Sequence, residues 1–292
     1  MRAVTARARV SAVAHGTLTT HHASLRRVAL LVWALLTAAG LAELLAVIVW
    51  GPGADFHAYW DVNLGNPYGQ SLGQTNAFLY SPVVALAAAP LRIIPFEAAR
   101  LAWLAVNVGC LVYLVRRWAL AALVFLPVAL ELYWGNVDLV IAVGIVVGFR
   151  YPAAWAFALL TKVTPGVGLV WFLVRREWRS FALALGMAVA LSVVSFLVVP
   201  AWWGAWLQVL SRSTSATQTA TLLDVPIGFR MVAAMLLVAW GAVTDRRWIV
   251  PVAVTLAAPA VWRIVPAILV AVVPLWRERR SDSVKIAPSA QA

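Results

Sequence analysis

The chain has 292 residues, 63% of them hydrophobic and 12% charged, with a formal net charge of +12. Repeated apolar runs exclude a soluble domain and predict an all-α, polytopic transmembrane bundle. The arginines lie in short clusters between those runs, which indicates cytoplasmic anchors and argues against nucleic-acid binding.

Residues 1–27 form a basic tail without acidic residues, so they are predicted to stay in the cytoplasm. The apolar run 28–50 is long enough to span a bilayer and is interpreted as an uncleaved anchor running outward. A single transmembrane domain is predicted over 28–276, followed by a cytoplasmic tail at 277–292. About ten crossings are expected, some short or broken, with both termini inside.

The first exterior loop, 51–77, is polar and aromatic, a composition that suits a sugar. It carries two carboxylates, Asp55 and Asp61, at a depth where ionisable groups are costly unless they have a function. Asp55 follows a Gly-Pro-Gly turn and directly precedes aromatic residues, so it is the first candidate for catalysis. The alternative is that Asp55 only N-caps a short helix from Phe56 to Leu64.

Two crossings are predicted directly after this loop. A helix over 78–95 would run inward with Arg92 at its inner end, and a helix over 97–115 would return outward. With the crossings that follow, this arrangement places Arg116, Arg117 and Arg150 outside, against the positive-inside rule.

The following apolar runs are short, at 118–133, 139–149 and 151–174, and the last is interrupted around Lys162. Several are shorter than the ~20 residues of a straight span, which predicts broken or re-entrant helices lining a cavity. Arg175 begins a basic cluster that marks a cytoplasmic turn.

Beyond this turn the chain is predicted to run outward to an aromatic belt that includes Trp206, and then to form a second exterior loop at 201–228. The remaining crossings are expected at 181–200, 229–243, 248–259 and 261–276.

Three cations are candidates for binding an anionic ligand. Lys162 is the only lysine inside an apolar region, and its flanking Thr164 offers a hydroxyl that suits phosphate. The alternatives are a snorkelling lysine and an ion pair with Asp138 or Glu131. Arg230 and Arg263 are predicted near the exterior face, where each would bind either such a ligand or lipid headgroups.

Five short motifs occur in a recognisable order: Asp55-Phe56-x-x-Tyr59, Asn66-Pro67-Tyr68, Phe78-x-Tyr80-Ser81-Pro82, Gly135-Asn136-Val137-Asp138 and Lys162-x-Thr164-Pro165. With this order and hydropathy the chain resembles glycosyltransferase family 87, over roughly residues 28–200. The resemblance implies a GT-C-like fold, a polyprenyl-phosphate-mannose donor and Asp55 as the catalytic aspartate. The C-terminal part departs from the family, since Trp262-Arg263 stands where relatives commonly carry histidine.

The chain is therefore expected to transfer a hexose, mannose in the first instance, from a polyprenyl-phosphate-sugar donor to a glycolipid or glycan hydroxyl. The reaction would be inverting, at the exterior face of a bacterial plasma membrane, with Asp55 as general base. The donor phosphate would contact Lys162, Arg263 or Arg230. Substrate contacts are expected from His57, Tyr59, Trp60, Asn66, Tyr68, Tyr80, Asn136, Asp138 and Thr164.

No metal or other cofactor is expected, because a single departing phosphate does not require a divalent ion and no acidic pair is evident. The rival hypothesis is a transporter or lipid flippase in which Asp55, Glu131 and Lys162 act as gating or relay charges. A non-catalytic protein that only binds polyprenyl lipids is a third possibility.

Overall fold

The computed structural model describes residues 51–70, 74, 76–215 and 225–278. Throughout these residues the regular structure is helical, as predicted. The predicted first crossing at 28–50 and both tails lie outside the described residues, as do parts of the two predicted exterior loops.

Twelve α-helices of the described residues are labelled here, and residues 272–278 are helical as well. Their bounds are α1 Ala54–Trp60, α2 Pro82–Ala88, α3 Phe96–Val115, α4 Ala119–Ala122, α5 Leu126–Trp134, α6 Asp138–Gly148, α7 Trp155–Thr161, α8 Val170–Val174, α9 Trp178–Val198, α10 Pro200–Ser215, α11 Ile227–Val243 and α12 Ile249–Ala257. Short 3₁₀ helices occupy Ala89–Ile93, Arg116–Trp118, Pro152–Ala154, Thr164–Leu169 and Val265–Ala271.

Within the part of the chain that the structure describes, two helical stretches are long and apolar enough to cross a membrane, Phe96–Ala122 and Trp178–Val198. A third crossing is possible if α5 and α6 form one broken span, although the two helices meet at 111°. The remaining apolar helices are shorter, which agrees with the predicted interruptions. In particular, the expected break near Lys162 is confirmed, because α7 ends at Thr161 and a 3₁₀ helix begins at Thr164.

The predicted inward crossing over 78–95 is not confirmed, because its helical part, Pro82–Ile93, is shorter than a membrane span. Arg92, expected at its inner end, forms an ion pair with Asp61 at 3.1 Å, and the Trp60 indole donates to the Ile94 carbonyl at 2.8 Å. Since Asp61 ends the short helix α1, the segment from α2 to Ile94 returns to the level of α1 instead of leaving it. Both ends of the stretch 76–95 therefore lie beside α1.

The basic turns meet at the other end of the bundle. Arg175, after α8, donates to Asp245 at 2.9 Å, and Asp245 directly follows α11. Arg247 lies 5.4 Å from the ring centre of Phe149, at the end of α6. Consequently α6, α8 and α11 all finish at the same end of the molecule.

A tryptophan core fixes the packing of the short helices. Trp155 and Trp171 are almost completely buried and both contact Phe149 edge to face. A Cβ at Gly168 would clash with the Trp155 ring, so glycine permits the 3₁₀ segment to approach α7. This close packing holds the break at Lys162 in place.

The second predicted exterior loop begins as a helix. Residues Pro200–Ser215 form α10, where loop was expected from about 207 onward. Trp206 from this helix donates to the Leu79 carbonyl at 3.3 Å, so α10 packs against the residues that precede α2. A contact between Trp206 and Leu79, which lie far apart in the chain, cannot be predicted from local sequence.

Candidate functional site

Asp55 lies in the first turn of α1, but it is not the N-cap. The N-cap is Gly53, which adopts a left-handed conformation at φ +80° and donates its backbone N–H to the Tyr133 carbonyl at 2.7 Å. The alternative expectation of an Asp55-capped helix from Phe56 to Leu64 is therefore wrong in its start and in its length. Asp55 instead occupies a position where the helix dipole favours a negative charge.

The break between α5 and α6 brings Asn136 to Asp55. Gly135 terminates α5 with φ +73°, and the Trp103 indole donates to its carbonyl at 2.7 Å. The amide nitrogen of Asn136 then donates to Asp55 Oδ2 at 2.7 Å. Residues 81 positions apart in sequence are joined here because the chain turns sharply at a glycine.

The Asp55 carboxyl experiences opposing influences on its pKa. Burial raises the pKa above its ordinary value of 3.8, whereas the hydrogen bond from Asn136 and the positive charge of Lys162 lower it. The negative charge of Asp138 raises it further. The net direction is upward, as expected for a carboxyl group whose desolvation dominates.

Lys162 and Asp138 form a buried ion pair at the break after α7. Their Nζ to Oδ1 distance is 2.5 Å; Asp138 is fully buried, while the lysine side chain remains 25% exposed. Of the alternatives for Lys162, the structure gives it an acidic partner. The ion pair leaves the lysine accessible, because the lysine side chain also lines a cavity.

That cavity has a volume of about 360 Å³ and opens beside the ion pair. Its polar lining comes from Tyr80, Asn136, Lys162 and Thr164, together with Thr161. The remaining wall is mainly aliphatic and aromatic: Leu79, Val163, Trp206, Val209, Leu210, Ile227, Met231, Ala258, Pro259, Ala260, Trp262, Ile264 and Val265. Such a surface accommodates an apolar chain with one anionic or polar end.

Asp55 itself is not among the residues that line this cavity. It is half-buried and reaches the cavity wall only through its hydrogen bond to Asn136. The carboxylate and the ammonium are therefore presented on different sides of the same polar network.

Three tyrosines connect α1 to the cavity wall. The hydroxyls of Tyr59 and Tyr80 share a hydrogen bond at 2.6 Å, and the Tyr68 hydroxyl donates to the Tyr80 carbonyl at 2.9 Å. Burial raises the pKa of all three phenols, so each stays neutral near pH 7. Of the three, only Tyr80 lines the cavity.

The other predicted substrate contacts from the first exterior segment lie away from the cavity lining. His57 packs against the rings of Trp60 and Phe96, with centroids 5.7 and 5.1 Å away, and Trp60 uses its indole N–H on Ile94. Asn66 is exposed in a turn. Their roles in substrate binding stay predictions.

Arg230 is buried, and its guanidinium donates hydrogen bonds to backbone carbonyls. It donates to the carbonyls of Val225 at 2.8 Å, Leu256 at 3.2 Å, Ala258 at 2.5 Å and Pro259 at 2.7 Å. These hydrogen bonds account for the burial of the Arg230 cation, so no phosphate is needed to explain it. Its predicted role in donor binding therefore finds no support in this geometry.

Arg263 is exposed and is not part of the cavity lining, although its neighbour Trp262 is. Its predicted phosphate contact stays untested. Among the described residues, no group of three His, Cys, Asp or Glu side chains lies close enough to hold a metal ion.

Sequence reasoning missed most of the cavity wall. Trp206 was assigned to an interfacial belt, and the aliphatic residues of α11 carry no signal that separates a cavity lining from a lipid-facing surface. Glu131 is fully buried and accepts the Leu139 N–H at 3.2 Å, which fastens the start of α6. The only hint of this last contact was an acid within an apolar run.

The fold and site together define a helical membrane protein with an ion pair and a carboxylate network beside an apolar cavity. Residues 78–289 match the family model of glycosyltransferase family 87. The chain belongs to this family, which confirms the resemblance inferred from the motifs. The match includes Asn136, Asp138 and Lys162 but begins after Asp55.

No curated protein and no solved structure gives a significant match to the chain. The family match identifies the chain as a glycosyltransferase.

Proposed function

We propose that this glycosyltransferase moves a hexose, mannose in the first instance, from a polyprenyl-phosphate donor to a hydroxyl of a glycolipid or glycan. The observation that carries the proposal is the cavity next to Lys162. Its wall is apolar over most of its surface and carries one cation, the pattern that a lipid phosphate requires.

Lys162 supports this proposal through its three N–H donors, because Asp138 is the only hydrogen-bond partner of Nζ among the described residues. Asp138 holds the ammonium at the cavity wall and compensates the cost of burying it. The remaining donors are then available to phosphate oxygens, which gain negative charge as the sugar departs.

The reaction is a single displacement with inversion at the anomeric carbon. The acceptor oxygen forms a bond to that carbon while its proton passes to Asp55. The bond from the carbon to the phosphate oxygen breaks, and the phosphate leaves with the electron pair. Asp55 is half-buried and lies outside the cavity lining, so the acceptor would approach from its exposed side.

Asp55→Asn tests this assignment directly. Transfer of label from polyprenyl-phosphate-mannose to membrane glycans should fall by about 10² to 10⁴-fold, the usual contribution of a general base. Asp61→Asn is the matched control, since Asp61 ends the same helix but pairs at the surface with Arg92. Retention of more than about a tenth of wild-type transfer by Asp55→Asn would refute the base assignment.

We also propose a revised topology of about ten membrane passes, several of them half-length. Because residues 76–95 return to the level of α1, the first inward pass after the exterior segment is α3. The passes then alternate through α5, α6, α7 and α8. This order puts Arg116, Arg117, Arg150 and Arg175 all on the cytoplasmic side, which removes the earlier conflict with the positive-inside rule. Both termini would then be cytoplasmic.

Cysteine labelling tests the topology. In a Cys110→Ser background, single cysteines at positions 70, 117 and 177 are treated with an impermeant thiol reagent from outside intact cells. Labelling is expected at 70 alone. Labelling at 117 would restore the crossing over 78–95, whereas labelling at 177 but not at 70 would invert the model and exclude an exterior active site.

A further inference from the structure

Asn136 makes two hydrogen bonds that together fix the direction of its amide. Its Oδ1 accepts the Val137 backbone N–H at 2.6 Å, and its Nδ2 donates to Asp55 at 2.7 Å. A backbone N–H can only donate, so the atom that faces it must be the amide oxygen. The NH₂ group is thereby forced to face the carboxylate.

The surroundings leave little room for this amide to rotate. Asn136 is 6% exposed, and its backbone carbonyl accepts a hydrogen bond from the Trp103 indole at 3.3 Å. Trp103 in turn stacks on Phe56, the residue that follows Asp55 in α1. Trp103 thus contacts both the break between α5 and α6 and the helix that carries Asp55.

We infer that Asn136 is a positioning residue for Asp55: its amide orients the carboxylate and keeps it ionised so that it can accept a proton. This reassigns a residue that the sequence predicted to bind substrate. The inference deepens the proposed function and rests on Asp55 being the base.

The chemical reason is that burial works against the proposed base. A carboxyl group in this environment is pushed towards its protonated form, which cannot take a proton from the acceptor. A donated hydrogen bond favours the charged form, and Asn136 supplies one without adding a charge of its own. A cation in the same place would over-stabilise the carboxylate and weaken it as a base.

Several other ionisable groups influence Asp55 and must be considered in any pH measurement. They are Lys162, Asp138, Glu131, Tyr59 and Tyr80. Lys162 acts in the same direction as Asn136, whereas Asp138 acts in the opposite one. Asn136→Ala leaves all of these groups in the chain and adds none, so a change in its pH dependence reports on the amide.

The test is the pH profile of transfer at low donor concentration, measured with labelled polyprenyl-phosphate-mannose in membranes. It compares wild type, Asn136→Ala and Asn136→Asp. Loss of the donated hydrogen bond raises the Asp55 pKa, so less carboxylate is present at a given pH and the acid limb should move to higher pH. At pH 7 we expect transfer to fall by about 10- to 100-fold, the usual range for a hydrogen bond to a charged group. Raising the pH should recover part of this loss.

Asn107→Ala is the matched control. Asn107 is also a fully buried asparagine, and it donates to the Trp103 backbone at 3.2 Å without contacting Asp55. Its substitution should lower thermal stability and leave the acid limb where wild type has it.

A uniform loss of transfer at every pH in both Asn136 variants would overturn the inference and assign the residue to substrate binding. Failure of both variants to fold would also overturn it, in favour of a purely structural role. Asn136→Asp preserves the side chain's size, so it is informative if Asn136→Ala does not accumulate. Failure of the proposed function is distinguishable, because it appears as retained transfer in Asp55→Asn.

Discussion

Lys162 and Arg230 are both cations in predominantly apolar surroundings, and both were predicted to bind the donor phosphate. Lys162 pairs with one buried acid and lines the cavity. Arg230 donates to four backbone carbonyls and lies behind the wall that its neighbours Ile227 and Met231 help to form. The two cations therefore differ in their N–H donors: those of Arg230 point to the backbone, whereas the Lys162 ammonium also faces the cavity.

The comparison shows that a charge at membrane depth has two physical explanations. The Arg230 guanidinium satisfies carbonyls left without helical partners at the end of α12 and in the following turn, so it stabilises the fold. The Lys162 ammonium is held by Asp138 and still faces a cavity, so it can serve a ligand. Substitutions at Lys162, Arg230, Asp138 and Asp55 make this comparison sharper.

Lys162→Met should have the largest effect. It leaves Asp138 buried without its cation, which costs about 3 to 5 kcal/mol of stability, and it removes a donor that is worth about 10² to 10³-fold in rate. Thermal unfolding and binding of polyprenyl phosphate are measured on the same purified preparation. Unchanged affinity in a destabilised protein would make Lys162 structural and transfer the leaving-group role to Arg263.

Arg230→Met should lower stability by about 2 to 4 kcal/mol, because hydrogen bonds from a charged donor to buried carbonyls are lost. Affinity of the folded fraction for polyprenyl phosphate should change little. Arg230→Lys distinguishes the two roles, since lysine keeps the charge but cannot reach four carbonyls. If Arg230→Lys restores donor affinity lost in Arg230→Met, Arg230 binds the phosphate after all.

The double variant Lys162→Met with Asp138→Asn should recover most of the stability lost in Lys162→Met, to within about 1 to 2 kcal/mol of wild type. The reason is that replacing both members of a buried pair avoids an uncompensated charge. Donor affinity should stay low, because the cation is still missing. Recovery of affinity along with stability would contradict a direct contact between Lys162 and phosphate.

The smallest effect concerns Asp55 and pH. Burial raises its pKa in the folded state above the ordinary value of 3.8, so the folded state binds its proton more tightly than the unfolded state does. Any stability from this group is present below the unfolded pKa and is lost as pH rises through the folded pKa. Asp55→Asn should therefore gain stability relative to wild type as pH rises across this window.

Melting temperatures of wild type and Asp55→Asn, recorded from about pH 4 upward, measure this difference. It should level off once the folded carboxyl is fully ionised. A difference that is independent of pH would mean that Asp55 titrates alike in the folded and unfolded states.

The sequence by itself determined the class of the protein and the residues that matter most in the network. Apolar runs indicated membrane helices because burial of backbone polar groups in lipid requires them. The break near Lys162 was predictable from Thr and Pro beside a charge. Asp55, Asn136, Asp138 and Lys162 were all singled out, since polar groups at membrane depth are costly without a function.

The tertiary structure alone decided how these residues are joined. Local sequence could not show that Gly135 turns Asn136 towards Asp55, or that Asp138 is the partner of Lys162, because each contact joins separate helices. Hydropathy also assigned 78–95 to a crossing, whereas the Asp61 to Arg92 ion pair brings the end of this segment back beside α1. Hydropathy measures how apolar a segment is, whereas its direction and partners depend on packing between segments far apart in the chain.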